Sequence, residues 1–295
     1  EPTHIGVAFD TFAPTVRVAD FADYKANREE MPEDIARALP YIDRLIKGFN
    51  IPILAVDGYE ADDVIGTLSK KAEASGYKIY MVTSDKDFGQ LVSDNIFMYK
   101  PPRMGNKTEI LGVKEICEKY KIKDPEQLID ILGLWGDASD NIPGVPGIGE
   151  KTAIKLVGEY GSVEGLLKNT EQLKGKMKEN VENFAEQALV SKQLATIILD
   201  VPVDLDEQLL KRKDPDEASL KELFEELEFR AFAKRVFVEL DGKEESKKSG
   251  SPDLFSDLSP EEMGSDGSFN TIRDTKHTYI LVDNEKSRQT LLDAL

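Results

Sequence analysis

The feature that most constrains this chain is a set of acidic groups placed at the ends of apolar segments. Asp10 follows IGVAF, Glu60-Ala61-Asp62-Asp63 follows PILAV, Asp85-Lys86-Asp87 follows KIYMVTS, and Asp137-Ala138-Ser139-Asp140 follows a helical run. Like charges repel, so carboxylates gathered at one edge of a sheet require cations between them. Carboxylate oxygens are the preferred ligands of hard ions such as Mg²⁺ and Mn²⁺. The pattern points to metal-assisted chemistry on a phosphate.

Alternation of short apolar runs with amphipathic ones sets the frame for those acids. Residues 5–9, 51–56, 78–83 and 96–99 read as strands, with helices predicted over 36–46 and 61–74 and a short one over 88–92. Gly76 closes the 61–74 helix as a C-terminal breaker. Strand–helix alternation implies an α/β fold, a mostly parallel sheet flanked by helices. Beyond residue 112 the signal is helical: 115–120, 126–135, 151–160, 163–167, 184–198, 220–227 and 231–236.

The expected organisation is an α/β core over 1–125 and a helical subdomain over 126–240. A charged, Ser-, Gly- and Pro-rich linker follows over 241–276, and a fresh strand begins within 277–295. No apolar run is long enough to span a bilayer, and no cationic leader precedes one, so a cytoplasmic protein with no membrane partner is expected.

In open α/β sheets, ligands bind outside the carboxyl ends of the strands. Asp10, Glu60, Asp62, Asp63, Asp85 and Asp87 fall at such ends. On a helix beginning near Glu60, positions 60 and 63 share a face while 62 points elsewhere. Asp137 and Asp140 share a face if the preceding helix continues through them. The set is sufficient for two ions, which at a separation of about 3.5–4 Å clamp both oxygens of an in-line phosphoryl displacement. Each group alone has a plainer reading as a turn or a helix-capping residue; their joint placement favours metal. Cys117 is the single cysteine, which excludes an internal disulfide and Cys-based zinc, and the two histidines, His4 and His277, lie outside the acidic groups.

The net charge of −18 conceals local basic patches over 25–28, 151–155 and 168–178. Residues 142–152, IPGVPGIGEKT, superficially resemble a nucleotide-binding Walker loop, but Glu150 interrupts the Gly-Lys-Thr order and no strand precedes it. A helix–hairpin–helix turn fits better, with backbone N–H groups and a helix N-terminus offered to DNA phosphate and Lys151 and Lys155 adding charge. The segment 24–28, YKANR, lies between two metal-bearing strands, where Lys25 and Arg28 would overhang the site and hold the scissile phosphate.

These elements, in this order, resemble the 5′-nuclease domain of bacterial DNA polymerase I, within the flap endonuclease superfamily. The matching segments are VAFD (7–10), YKANR (24–28), GYEADDVIGTL (58–68), TSDKDFGQL (83–91) and GDASDNIPGVPGIGEKTA (136–153), and the similarity extends to about residue 237. The resemblance implies a PIN-like flap-nuclease core that removes 5′ flaps and RNA primers in replication and repair. It assigns Asp10, Glu60, Asp62, Asp63, Asp85, Asp87, Asp137 and Asp140 to two Mg²⁺ or Mn²⁺ ions. Lys25 and Arg28 become catalytic cations. Tyr24, Gly144, Val145, Gly147, Ile148, Gly149, Lys151 and Thr152 become DNA contacts, with K⁺ expected at the hairpin. It further implies branched or nicked DNA and RNA primer–DNA junctions as partners, and a polymerase domain in the parent protein. The family carries a leading strand with another catalytic aspartate, expected ahead of residue 1, and residues 277–295 resemble the truncated start of a proofreading-type domain. A catalytically silent DNA-binding fragment and a PIN-type ribonuclease are the rival readings.

Overall fold

The computed structural model describes residues 1–102, 107–240 and 289. The linker over 241–276 and the strand expected within 277–295 lie outside the described residues, Gln289 apart. Among the described residues five short strands fall into two sheets. β1 (Val7–Ala8) runs parallel to β2 (Ile53–Leu54), with Val7 opposite Ile53. β3 (Ile79–Val82) runs parallel to β4 (Ile96–Lys100), with Met81 opposite Met98. β5 (Glu109–Leu111), which sequence periodicity did not reveal, returns antiparallel along β4. It is too short for alternation to register. The mostly parallel α/β expectation holds, although no ladder among the described residues joins the two pairs.

The helices of the first half are α1 (Val16–Asp20), α2 (Glu33–Gly48) and α3 (Ala61–Ala74). α3 starts at Glu60 because the Asp63 carboxylate reaches back to accept the Glu60 N–H at 3.1 Å, satisfying a donor the helix leaves open. It stops at Gly76, whose φ of +84° only glycine adopts without strain. Val64 and Leu68, one turn apart, bury one face against Val201, Ala8 and Leu54.

The larger core centres on α5 (Gln127–Trp135), whose Leu128, Ile131, Leu132 and Leu134 are all buried. Around it pack α4 (Val113–Tyr120), α6 (Glu150–Tyr160), α7 (Val163–Leu167), α8 (Gly175–Asn183) and α9 (Ala185–Ala195), together with β3 and β4. α8 buries only Val181 among mostly polar residues, so apolar periodicity does not announce it. After α9 the chain is stitched back onto α3: Ile198 donates to Asp63 Oδ1 at 2.8 Å and Val201 to Thr67 Oγ1 at 3.3 Å. α10 (Glu207–Leu210), α11 (Glu217–Glu226) and α12 (Arg230–Leu240) complete the unit, α11 lying on α2 with Leu220 against Gly48.

Candidate active site

The acidic groups are carried to one place by the ends of four elements. Asp10 lies just beyond β1, and its Oδ1 accepts the Ala61 N–H at 2.7 Å, tying it to the first turn of α3. Asp85 caps a 3₁₀ helix over Lys86–Leu91, accepting the Asp87 N–H at 3.0 Å. Asp137 and Asp140 do not share a helical face as expected, because α5 ends at Trp135. Gly136 turns the chain with a φ of +77°, and the Asp137 and Ile142 N–H and C=O groups pair in both directions at 2.9 and 2.8 Å. A Cβ at Gly136 would stand 2.5 Å from the Ile142 carbonyl, so the turn requires glycine.

These turns enclose a cavity of about 310 Å³ lined by Asp10, Glu60, Asp62, Asp85, Asp87, Asp137 and Asp140, with Lys25, Arg28, Lys86 and Ser139. Seven carboxylates thus face three cations. Burial, then the charges of Asp85 and Glu60, push the Asp62 carboxyl up to about 7. Burial, then the charge of Asp85, push Asp87 up to about 7 as well. Asp87 Oδ1 is buried with no hydrogen-bond partner. An orphaned carboxylate oxygen among acids that cannot all ionise suits a hard cation, so the donor set fits divalent metal. As the side chains stand, no group of three acids among the described residues closes on a single point where an ion could sit.

Asp63 corrects the expected metal set. Its side chain is fully buried, and Arg17 grips both oxygens at 2.7 Å while donating further to the Leu194 and Thr196 carbonyls. With the Glu60 and Ile198 N–H groups also bound, no lone pair faces the cavity. The helical facing is the reverse of the one expected: Glu60 and Asp62 point to the cavity and Asp63 into the core. Burial alone would lower the Arg17 pKa, but the hydrogen bond and charge of Asp63 raise it above the ordinary guanidinium value. Sequence reasoning missed Arg17; the surplus of one acid in the Glu-Ala-Asp-Asp run was its only trace.

Lys25 and Arg28 do reach the cavity. Lys25 Nζ lies 2.7 Å from Glu60 Oε1, and Arg28 Nη2 lies 2.5 Å from Asp140 Oδ1. Their segment is latched to the acidic turn: the Lys25 N–H donates to the Asp140 carbonyl at 2.9 Å, Asn27 to the Ala138 carbonyl at 2.7 Å, and Asn141 to the Asp23 carbonyl at 2.6 Å. Tyr24, expected to touch DNA, is instead buried, and its hydroxyl donates to Glu60 at 3.1 Å. Burial, then the Glu60 charge, raise its pKa and keep it a donor.

The hairpin between α5 and α6 divides the expected DNA contacts. Gly144, Val145 and Ile148 are buried, and their N–H groups are committed to Ser191 Oγ, the Leu134 carbonyl and the Val145 carbonyl. They hold the hairpin rather than face a ligand. Gly147, Gly149 and Lys151 are exposed and Thr152 half-exposed at the entry to α6, the arrangement a phosphate contact needs.

Two family models match this chain: 5′-3′ exonuclease, N-terminal resolvase-like domain, over residues 1–121, and 5′-3′ exonuclease, C-terminal SAM fold, over residues 123–218. The chain belongs to the 5′-3′ exonuclease family. Among its relatives, DNA polymerase I of Bacillus subtilis is 40% identical over 237 residues, 80% of this chain and 27% of the relative. The thermostable DNA polymerase I of Thermus filiformis is 42% identical over 224 residues, 76% of this chain and 26% of the relative. The chain therefore spans about a quarter of the length of these relatives. The same fold occurs in a bacteriophage T5 flap endonuclease complex with DNA and metal ions, at a TM-score of 0.55 and 22% identity, covering 74% of this chain and 82% of that one. The exonuclease-family core and its helical second half thus account for the whole cavity, since its lining residues all lie within the two matched spans.

Proposed function

We propose that the cavity is the site of a metal-dependent, structure-selective 5′ nuclease acting on branched or nicked DNA. The observation that carries this reading is the seven-carboxylate cavity with a buried oxygen at Asp87 that accepts no hydrogen bond. Asp10, Glu60, Asp62, Asp85, Asp87, Asp137 and Asp140 would hold two divalent ions, Mg²⁺ or Mn²⁺. Bound ions supply activation of water and stabilisation of the leaving oxygen.

The chain's own residues do the rest. Lys25 and Arg28, held over the cavity by the latch to the 137–141 turn, trade their carboxylate partners for the scissile phosphate, with Arg28 offering a forked contact. Tyr24 fixes Glu60 from below through its hydroxyl. Gly147, Gly149, Lys151 and Thr152 bind the duplex backbone without reading sequence, with K⁺ at the hairpin carbonyls. We assign the α/β core, with five of the seven cavity acids, to residues 1–125, and to 126–240 the helical half that adds Asp137, Asp140 and the DNA-gripping hairpin. By likeness to the polymerase relatives, the substrates are 5′ flaps and RNA primer–DNA junctions in the cytoplasm, with a polymerase domain in the parent protein.

The test is incubation of the chain with a labelled 5′-flap duplex and Mg²⁺, beside a chelator control, single-stranded RNA, and Asp85→Ala. Flap incision that needs the metal, spares RNA and falls about 10³-fold in Asp85→Ala is expected. DNA binding without incision would leave a silent scaffold, and preferential RNA cleavage a ribonuclease.

A further inference from the structure

Lys86 sits between two of the acids, Asp85 and Asp87, and takes no part in the proposed chemistry. Its ammonium is hydrogen-bonded to Asp137 Oδ2 and stands 3.9 Å from Asp87 Oδ1, the buried oxygen that accepts no hydrogen bond. The other Asp137 oxygen accepts the Ser139 N–H at 2.8 Å, so both Asp137 oxygens already hold a donor while Lys86 is in place. The ammonium also lies 5.0 Å from the centre of the Trp135 ring, a cation–π contact that holds its stem in one position. Trp135 is the only tryptophan of the chain.

We propose that Lys86 is a built-in counter-ion of the Asp87–Asp137 side of the cavity, which must leave Asp137 before a divalent cation binds there. The inference rests on the cavity being a metal site. Lys86 offsets the mutual repulsion of the Asp87 and Asp137 carboxylates in the metal-free chain. A divalent ion on Asp137 Oδ2 is repelled by an ammonium bonded to the same oxygen, so the two compete for it. Lys86 is therefore a positioning residue that sets the affinity for metal, and its departure from the indole changes the surroundings of Trp135.

The experiment titrates Mg²⁺ into the metal-free chain without DNA, following binding by calorimetry and Trp135 emission in parallel, for wild type, Lys86→Met and Lys86→Arg. Methionine keeps much of the stem and removes the charge; arginine keeps the charge. Wild-type emission should shift in step with binding. Lys86→Met should bind Mg²⁺ about tenfold more tightly with little emission change, and Lys86→Arg should bind no more tightly than wild type. Equal affinity in wild type and a folded Lys86→Met, or the same emission shift in both, overturns the role of Lys86 while leaving the metal site intact. Absence of Mg²⁺ binding in every protein overturns both.

Discussion

Two acidic regions of this molecule obey opposite rules. At the junction of α5, α7 and α9, Asp130 accepts the Val163 N–H at 2.9 Å and pairs with Lys192 at 2.6 Å, while Lys192 also meets Glu164 at 2.8 Å. Every charge there has a partner, and the cluster ties three helices together. In the cavity, seven carboxylates share three cations, two acids are pushed up to about 7, and one fully buried oxygen accepts no hydrogen bond. Satisfied charge marks structure; unsatisfied charge marks a place kept for something else. Asp62 and Asp63 carry the contrast within two adjacent residues, one at the cavity wall and one sealed against Arg17.

The contrast can be broken most forcefully at Asp63. Asp63→Ala leaves Arg17 buried without its bidentate partner and should cost about 3–5 kcal/mol of folding free energy, measured by urea denaturation. A loss below about 1 kcal/mol would place Asp63 with the functional acids after all. At the helical junction, Lys192→Met strands Asp130 beside the Val163 N–H and should cost about 1–3 kcal/mol in the same assay.

The cavity should respond with the reverse sign. The folded-state pKa of Asp87, about 7, lies above the ordinary carboxylate value of 3.8, so the folded chain binds more protons than the unfolded one between those values. Stability of the metal-free chain from this group therefore falls as pH rises through that window. Asp87→Asn should raise the Tm by an amount that grows from pH 4 towards pH 7 and levels off above, whereas Asp130→Asn should lower the Tm throughout. A pH-independent effect of Asp87→Asn would contradict the assignment. The smallest change is expected at the hairpin: Lys155→Ala, at an exposed position of α6, should weaken DNA binding equally for all sequences and reduce the salt slope by about one.

Much of the site was legible because its chemistry is local in sequence. Asp10, Asp85 and Asp87 stand where strands end, and the ends of parallel strands are where a fold of this class opens. Lys25 and Arg28 were legible from their place between two such strands. The misassignments share one cause. Tyr24, Val145 and Ile148 sit inside motifs whose neighbours face the ligand, yet which side chain turns inward depends on packing against Glu60, α5 and α9. The hinge at Gly136, with its close carbonyl contact, could not be read from spacing alone. Lys86 lay within a recognised segment, but its pairing with Asp137 joins residues 51 positions apart.

The sequence by itself determined the class of chemistry, an excess of carboxylates at strand and helix ends with basic residues nearby, because residue type and short-range periodicity fix which groups end each element. Only the tertiary structure decided which acids are starved of partners and which are sealed. That depends on Arg17 reaching Asp63 across 46 positions and the chain after α9 closing over α3, contacts that no local pattern encodes.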